Sequence, residues 1–273
     1  MTRLFVLCAT IVSLQGVFIP AWTAQVRAQS ANPQKTTRIR KRSNIKFIPR
    51  KGQRAPTMTI GGGRRNNGVC EQSAQVSSLG IRTKSIEKTL VPLLPSDKLG
   101  LTASSHPSFM VYVPPTSAKA LEFTLENEEG EGIYQAELNV ENAPEIISFT
   151  LPKTEAELEI NKDYRFVVSI ICQQTGPKNP FVEGLVRRIS PDSALENQLH
   201  KPKSLEQVKL YSESGYWFEA LANLAQLKLS QPNNSQVATA WEDLLKSVGL
   251  DAIAKAQISE KLSMNNEQST IIN

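Results

Sequence analysis

The sequence is poor in the side chains that most often carry chemistry. Its 273 residues include two histidines and three cysteines, and none of them has the clustered spacing of a metal site. No Gly-x-Ser-x-Gly elbow is present. Ser104, Ser105 and His106 resemble a nucleophile beside a base, but adjacent residues rarely align for proton transfer, and no orienting acid is identifiable. We therefore predict no catalytic residue, no metal ion and no cofactor.

Long apolar runs are also lacking, because no stretch reaches the roughly 20 residues that a membrane-spanning helix needs. Residues 1–28 have the pattern of a signal peptide. Arg3 supplies the positive start, Leu4 to Val12 is mostly apolar, and Val26-Arg27-Ala28 fits a cleavage site. The pattern predicts export to the periplasm or beyond the cell, with the mature protein peripheral to the membrane at most.

Cysteine is scarce, and export would reduce it further, because Cys8 lies in the predicted signal peptide. Cys70 and Cys172 remain. An even number of cysteines in an exported chain favours a disulfide bond. The bond would join the leader to the far end of a strand. Two unpaired buried thiols are the alternative.

Acidic residues are absent from the first 70 positions, and all 26 of them follow Cys70. Residues 29–69 therefore form a basic leader, which we predict to be disordered because like charges repel. It could tether the protein to an anionic envelope surface or fold back on the acidic body. Nucleic acid is disfavoured by the export signal. The cations proposed to bind the envelope are Arg38, Arg40, Lys41, Arg42, Arg50, Lys51, Arg54, Arg64 and Arg65.

Residues 70–190 have the alternation of a β-sandwich, with short strands separated by turn residues and no crossover helix between them. We predict an antiparallel, immunoglobulin-like sandwich. Tyr164 stands where such domains carry a corner tyrosine, whose hydroxyl bonds back to the upstream backbone. The predicted strands are 88–93, 108–113, 120–125, 133–140, 146–151, 163–172 and 181–189.

After residue 190 the apolar period becomes helical, so the fold class is α+β and mainly β. The pattern predicts helices over 204–214, 216–231 and 235–248, with a short fourth from 252 to about 262. This segment, 191–263, resembles one tetratricopeptide unit, which cannot bury its own face and must dock on the sandwich or on a helical-repeat partner. Trp217 and Trp241 are predicted core residues, and 264–273 a frayed tail.

Several short motifs, in order, carry a family resemblance. They are Gly61-Gly62-Gly63 before Cys70, Leu99-Gly-Leu-Thr-Ala-Ser-Ser-His-Pro-Ser-Phe109, Tyr112-Val-Pro114, Tyr164-Arg-Phe166 before Cys172, Phe181-Val-Glu-Gly184, Arg187-Arg188-Ile189 and Trp217-Phe-Glu-Ala-Leu221. Together they resemble the domain-of-unknown-function family numbered 928, whose members are exported cyanobacterial proteins. The resemblance covers most of residues 50–262. It implies export, a β-rich core and a helical tail, and it supplies no active-site residue.

These features favour an exported, non-catalytic interaction or scaffold protein of the cell envelope. Its partner would be an anionic surface or an envelope protein with helical repeats. A glycan-binding sandwich is the first alternative, weakened because the three tryptophans, Trp22, Trp217 and Trp241, all lie outside the sandwich region. An uncharacterised hydrolase, with His106 as its candidate base, is the second.

Overall fold

A computed structural model describes residues 44–52, 55–58, 70, 86–95, 99–155, 157–172, 179–191, 193–199 and 203–261. They all belong to one compact unit that spans residues 41–273. The predicted signal peptide, residues 29–43 of the leader and the predicted tail from residue 264 lie outside the described residues.

Nine strands form two sheets in the described part of the chain. One sheet has the order β1-β3-β6-β9 and the other the order β2-β8-β7-β4-β5. The strands are β1 Val91–Pro92, β2 Leu99–Thr102, β3 Ser108–Val113, β4 Ala120–Glu126, β5 Gly132–Asn139, β6 Glu145–Thr150, β7 Asp163–Ile171, β8 Phe181–Arg188 and β9 Gln257–Lys261. Most pairs are antiparallel, but β2 pairs with β8 and β6 with β9 in parallel. A purely antiparallel sandwich, as predicted, is therefore wrong in these two places.

The two sheets face each other across a core of aromatic rings. Phe109 on β3 and Phe149 on β6 come from one sheet, and Phe123 on β4 and Phe166 on β7 from the other. The centroids of Phe123 and Phe149 are 4.1 Å apart, and those of Phe109 and Phe166 are 5.0 Å apart. Buried and less buried side chains alternate along β4 and β7, so one face of each strand lies in this core. The same two-residue period in the sequence predicted both strands.

Tyr164 forms the predicted backbone clamp at the start of β7. Its hydroxyl oxygen accepts a hydrogen bond from the Glu159 N–H at 2.9 Å. Burial raises the pKa of the Tyr164 hydroxyl, although the bond from Glu159 acts in the opposite direction. The clamp fixes the turn that delivers the chain into β7.

The helical segment contains one helix before the first helix that was predicted. It contains α1 Ser193–Leu199, α2 Leu205–Glu213, α3 Trp217–Ser230 and α4 Ser235–Ser247. Side chains cap two of these helices: Ser204 accepts from the Gln207 N–H before α2, and Asn234 from two N–H groups at the start of α4. Between α2 and α3, Gly215 has a φ of +81°, which explains the break there.

The helices share one hydrophobic core with the sheets. Trp217 and Trp241 are fully buried, and the Trp217 indole N–H donates to the Leu93 carbonyl at 2.8 Å. Helix α3 lies so close to β2 that a Cβ on Gly100 would sit 2.4 Å from a ring carbon of Phe218. The predicted core role of both tryptophans agrees with these contacts.

The predicted fourth helix is wrong. The chain makes a single 3-10 turn at Asp251–Ile253 and then forms β9. Ile258 pairs with Ile146 on β6 and turns its side chain into the core, so the open edge of β6 prevailed over helical propensity. A strand of the sandwich therefore follows the helices, and residue 190 does not separate two independent domains.

The remaining errors concern the first strands. Residues 86–88 form a 3-10 turn and only Val91–Pro92 pair in the predicted strand 88–93. Strand β2 was not predicted at all, because Leu-Gly-Leu-Thr is short and buried on both faces and so lacks the alternation that identifies half-buried strands.

Candidate functional site

Residues 44–52, which we call the strap, lie against the helical segment. Ile45 is buried, and the Phe47 ring meets Trp217 edge to face with centroids 5.0 Å apart. The Phe47 N–H donates to the Ser247 hydroxyl at 3.0 Å. The Ile48 N–H donates to the carbonyl of Ser212 on α2 at 3.0 Å. These contacts hold the strap to α2, α3 and α4 and contradict the prediction of disorder for these residues.

The strap exposes its cations, whereas among its apolar side chains Ile45 is buried, Phe47 is half-buried and Ile48 is exposed. Lys46, Arg50 and Lys51 are exposed. Arg50 also makes a specific contact, since its guanidinium donates to the Tyr216 hydroxyl at 3.0 Å and lies 5.8 Å from that ring's centroid. Two of the predicted envelope-binding cations, Arg50 and Lys51, thus lie in the strap. The remaining seven, Arg38, Arg40, Lys41, Arg42, Arg54, Arg64 and Arg65, lie outside the described residues.

A second part of the leader, residues 55–58, covers a buried ion pair. Arg187 on β8 forms a bidentate contact with Asp163 on β7. The Thr57 N–H donates to Asp163 Oδ2 at 2.7 Å, and Arg187 donates to the Ala55 carbonyl at 3.3 Å. Burial alone would raise the pKa of Asp163, but the bonds from Arg187 and Thr57 outweigh it and lower that pKa below its ordinary value. The leader is thus part of the folded body here as well.

The disulfide pairs the two predicted cysteines. The Sγ atoms of Cys70 and Cys172 are bonded, across a sequence separation of 102 residues. The bond fastens the end of the leader to the residue after β7, as predicted. Two unpaired thiols, the alternative, are not what the structure contains.

Replacing Cys70 and Cys172 together with alanine is expected to lower the free energy of unfolding by about 2–4 kcal/mol. The bond closes a 102-residue loop, and its loss restores conformational entropy to the unfolded chain. Urea denaturation of the mature protein measures the effect. Wild-type protein under reducing conditions should match the double variant, and an unchanged midpoint in both would contradict the prediction.

The loop of residues 102–106, which starts at the last residue of β2 and leads toward β3, contains an aligned serine and histidine. Ser105 Oγ is 3.0 Å from His106 Nδ1, and His106 Nε2 is 3.2 Å from the Glu155 carbonyl oxygen. A carbonyl only accepts, so in the neutral ring Nε2 carries the hydrogen and Nδ1 is free to accept from the serine. Ser105 and His106 are therefore aligned, although adjacent residues were not expected to align. The group that orients the His106 ring is the Glu155 backbone carbonyl and not an acidic side chain.

A buried carboxyl holds the same loop from the helical side. Glu219, in the first turn of α3, accepts through Oε1 from the Thr102 hydroxyl at 2.6 Å and from the N–H groups of Ala103 and Ser104 at 2.9 and 3.1 Å. Its Oε2 is inaccessible to solvent and has no hydrogen-bond partner among the described residues. Burial raises the pKa of Glu219, and the hydrogen bonds offset this only in part.

The described ranges contain no group of three or more His, Cys, Asp or Glu side chains placed to hold a metal ion. In the same residues, no helix combines the length and the apolar character needed to cross a membrane.

Sequence reasoning missed Asp163, Arg187 and Glu219. Asp163 and Arg187 stand on the outward face of their strands, where a charged side chain is ordinarily exposed to solvent. The leader that covers them was predicted to be disordered. Glu219 gave a readable signal, since it interrupts the apolar run Tyr216 to Leu221. A charged residue within an apolar helical stripe is a candidate for a buried, hydrogen-bonded role.

Two facing sheets, helices that share their core, a docked leader and a disulfide define a β-rich domain with an integrated helical segment. A family model described as Domain of Unknown Function (DUF928) matches residues 60–258, and the chain belongs to that family. No curated protein matches the chain. Among solved structures, the fn3 domain of the human collagen alpha-1(XX) chain is 19% identical, covering 46% of this chain and 98% of that chain, with a TM-score of 0.23. A TM-score this low does not establish a common fold.

Proposed function

We propose that this protein is an exported, non-catalytic interaction protein of the cell envelope, whose basic leader binds an anionic surface. We also propose that the two sheets form an immunoglobulin-like sandwich, that the helical segment is tetratricopeptide-like, and that the protein comes from a cyanobacterium. One observation carries the proposed function: the buried Ile45 and the half-buried Phe47 fix the strap to the helices while Lys46 and Lys51 stay exposed. A segment that is fixed on the body and turns its charges outward is suited to face a charged surface.

The physical advantage of the strap is that it orders the cations before binding. A free basic tail loses conformational entropy when it settles on a surface, whereas a docked segment has already lost it. Each Lys or Arg near an anionic membrane contributes about 1 kcal/mol. The partner is an anionic lipid or polysaccharide surface. An envelope protein with helical repeats would bind the outer face of the helices, since their apolar face is buried against the sheets.

The test is binding of the mature chain to vesicles of phosphatidylglycerol and phosphatidylcholine. Lys46→Gln with Lys51→Gln should weaken binding about tenfold or more, since two cations are lost at about 1 kcal/mol each. Lys119→Gln with Lys153→Gln removes two exposed body lysines and is the matched control. Binding to wild type should fall steeply with salt. Equal binding to neutral vesicles, or equal losses in both double variants, would refute the proposal.

A second candidate function is hydrolysis of an activated ester, favoured by the Ser105–His106–Glu155 alignment at 3.0 and 3.2 Å. Ser105 would be the nucleophile and His106 the general base, with the ring oriented by the Glu155 carbonyl. A fluorophosphonate probe, followed by mass spectrometry of the labelled peptide, tests it. Label on Ser105 that disappears in His106→Gln would support the hydrolase. Absence of label, or equal labelling of Ser104, would reject it and leave the interaction proposal unaffected.

A further inference from the structure

Ile48 is an exposed apolar residue that the strap holds in place. Its exposure of 51% is the highest of any large hydrophobic residue among those that the structure describes. The backbone beside it is fixed on α2, because the Lys46 carbonyl accepts from the Ser212 hydroxyl at 2.7 Å and the Ile48 N–H donates to the Ser212 carbonyl at 3.0 Å. These two bonds keep the side chain of Ile48 outside the core.

The strap is fixed a second time, two residues after Ile48. The Arg50 guanidinium donates to the Tyr216 hydroxyl. The backbone of Arg50 also passes so close to Gly215 that a Cβ on the glycine would lie 2.9 Å from the Arg50 nitrogen. Ile48 therefore stands between two attachment points and is presented at a defined place on the surface.

The outer side of the strap combines this apolar residue with cations. Burial alternates along residues 45–48, since Ile45 is buried and Phe47 half-buried, whereas Lys46 and Ile48 are exposed. Lys51 is exposed a short distance further along the chain. The inner side chains attach the strap to the body, and the outer ones leave isoleucine and lysine side chains in contact with solvent.

The charge around Ile48 distinguishes it from an ordinary exposed isoleucine, of which every surface has some. Residues 44–52 contain no acidic residue. On α2, Glu213 directly follows Ser212, but its carboxylate pairs with Lys209 at 3.7 Å. An anionic surface can therefore approach Ile48 with little opposing charge from the strap or from this part of α2.

We propose that Ile48 inserts into the apolar layer of an anionic lipid bilayer when Lys46 and Lys51 bind the lipid headgroups. The inference deepens the proposed binding to an anionic surface and rests on it, since it assigns that surface to lipid rather than polysaccharide. Acyl chains remove the exposed part of an isoleucine from water, whereas a hydrated polysaccharide does not. At a membrane interface such apolar burial adds to the electrostatic attraction of the cations.

Ile48→Ser tests the insertion in the mature protein. Its binding to vesicles of phosphatidylglycerol and phosphatidylcholine should be about fivefold weaker than that of wild type, because the acyl chains no longer gain an apolar side chain. Its binding to dextran sulfate, which is anionic but has no apolar interior, should be unchanged. Ile160→Ser is the matched control: Ile160 is 48% exposed but follows the acidic Glu159, and the variant should bind vesicles as wild type does.

The Ile48→Trp variant gives a second, direct readout. Trp217 and Trp241 are fully buried, so their emission is a constant background. On addition of the same vesicles, the emission of Ile48→Trp should shift to shorter wavelengths and be quenched by lipids brominated on their acyl chains. Ile160→Trp should show neither change.

The outcomes separate this inference from the proposed function. Vesicle binding of Ile48→Ser equal to that of wild type, an equal loss on dextran sulfate, or no acyl-chain quenching of Ile48→Trp would overturn the insertion. The proposed function would still stand if Lys46→Gln with Lys51→Gln weakens binding to both probes. If that double variant binds both probes as wild type does, the proposed function fails, and the insertion that rests on it fails as well.

Discussion

Arg187→Ala is expected to lower the free energy of unfolding by about 3–5 kcal/mol, as is typical when one partner of a buried ion pair is removed. Arg187 is 3% exposed and Asp163 0%, so the remaining carboxylate would have no cation and little water. The change also removes the donor to the Ala55 carbonyl, and should loosen residues 55–58. Urea denaturation measures the loss, and limited proteolysis of the leader detects the loosening.

Arg165→Ala is the control for this prediction. Arg165 stands on the same strand as Asp163 and pairs with Glu126 and Glu183, and its own side chain is 31% exposed while that of Glu183 is 7% exposed. Solvent screens the Arg165 guanidinium in part, so its loss should cost less than the loss of Arg187, about 1–2 kcal/mol. Equal destabilisation by the two substitutions would show that the buried pair has no special role.

The ion pair also sets a pH dependence in acid. Because the folded-state pKa of Asp163 is lowered, its contribution to stability is present above the ordinary value of about 3.9 and is lost as the pH falls through the folded value. Asp163→Asn should therefore show a weaker decline in stability below about pH 4 than wild type.

Trp217→Ala carries the other large effect, an expected loss of about 3–5 kcal/mol. Trp217 is fully buried, donates to the Leu93 carbonyl at 2.8 Å and contacts Phe47 of the strap. Its removal leaves a cavity, orphans a buried carbonyl and deprives the strap of its main apolar contact. Thermal unfolding gives the stability change, and increased proteolysis near residue 47 reports release of the strap.

Leu229→Ala serves as the matched substitution on the same helix. Leu229 is 42% exposed, so truncating it removes little buried surface and should change stability by about 0.5 kcal/mol or less. A comparable loss from both substitutions would mean that α3 is sensitive to any change, rather than that Trp217 joins strap, helix and sheet.

The elements predicted correctly are those whose own residues contain the signal. Strands β4 and β7 alternate strictly, and α3 and α4 carry an apolar stripe between recognisable start and stop residues. The elements that were missed depend on distant partners. Strand β9 forms because β6 offers it an open edge, and β2 because it lies beneath Phe218. Local pattern does not contain such information.

The same distinction applies to the candidate site. The even number of cysteines after the predicted signal peptide was enough to predict the disulfide. The position of Tyr164 before β7 was enough to predict its hydrogen bond to the backbone. The strap was predicted to be disordered because the leader is basic and has few bulky apolar residues. Two of those few, Ile45 and Phe47, nevertheless dock it on the helices.

The contacts around Ser105 and Glu219 could not be predicted, because backbone groups make part of them. His106, beside Ser105, contacts the Glu155 carbonyl, and Glu219 accepts from two backbone N–H groups. Any residue type can supply a backbone group.

The position of β9 has a consequence for shortened forms of the protein. A chain cut after residue 256 would keep the helices and eight of the nine described strands but would leave one side of β6 bare, from Glu145 to Phe149. Unpaired N–H and C=O groups along a strand invite pairing with another molecule. Such a fragment should associate edge to edge through β6, and a synthetic peptide with the sequence of residues 257–261 should suppress that association.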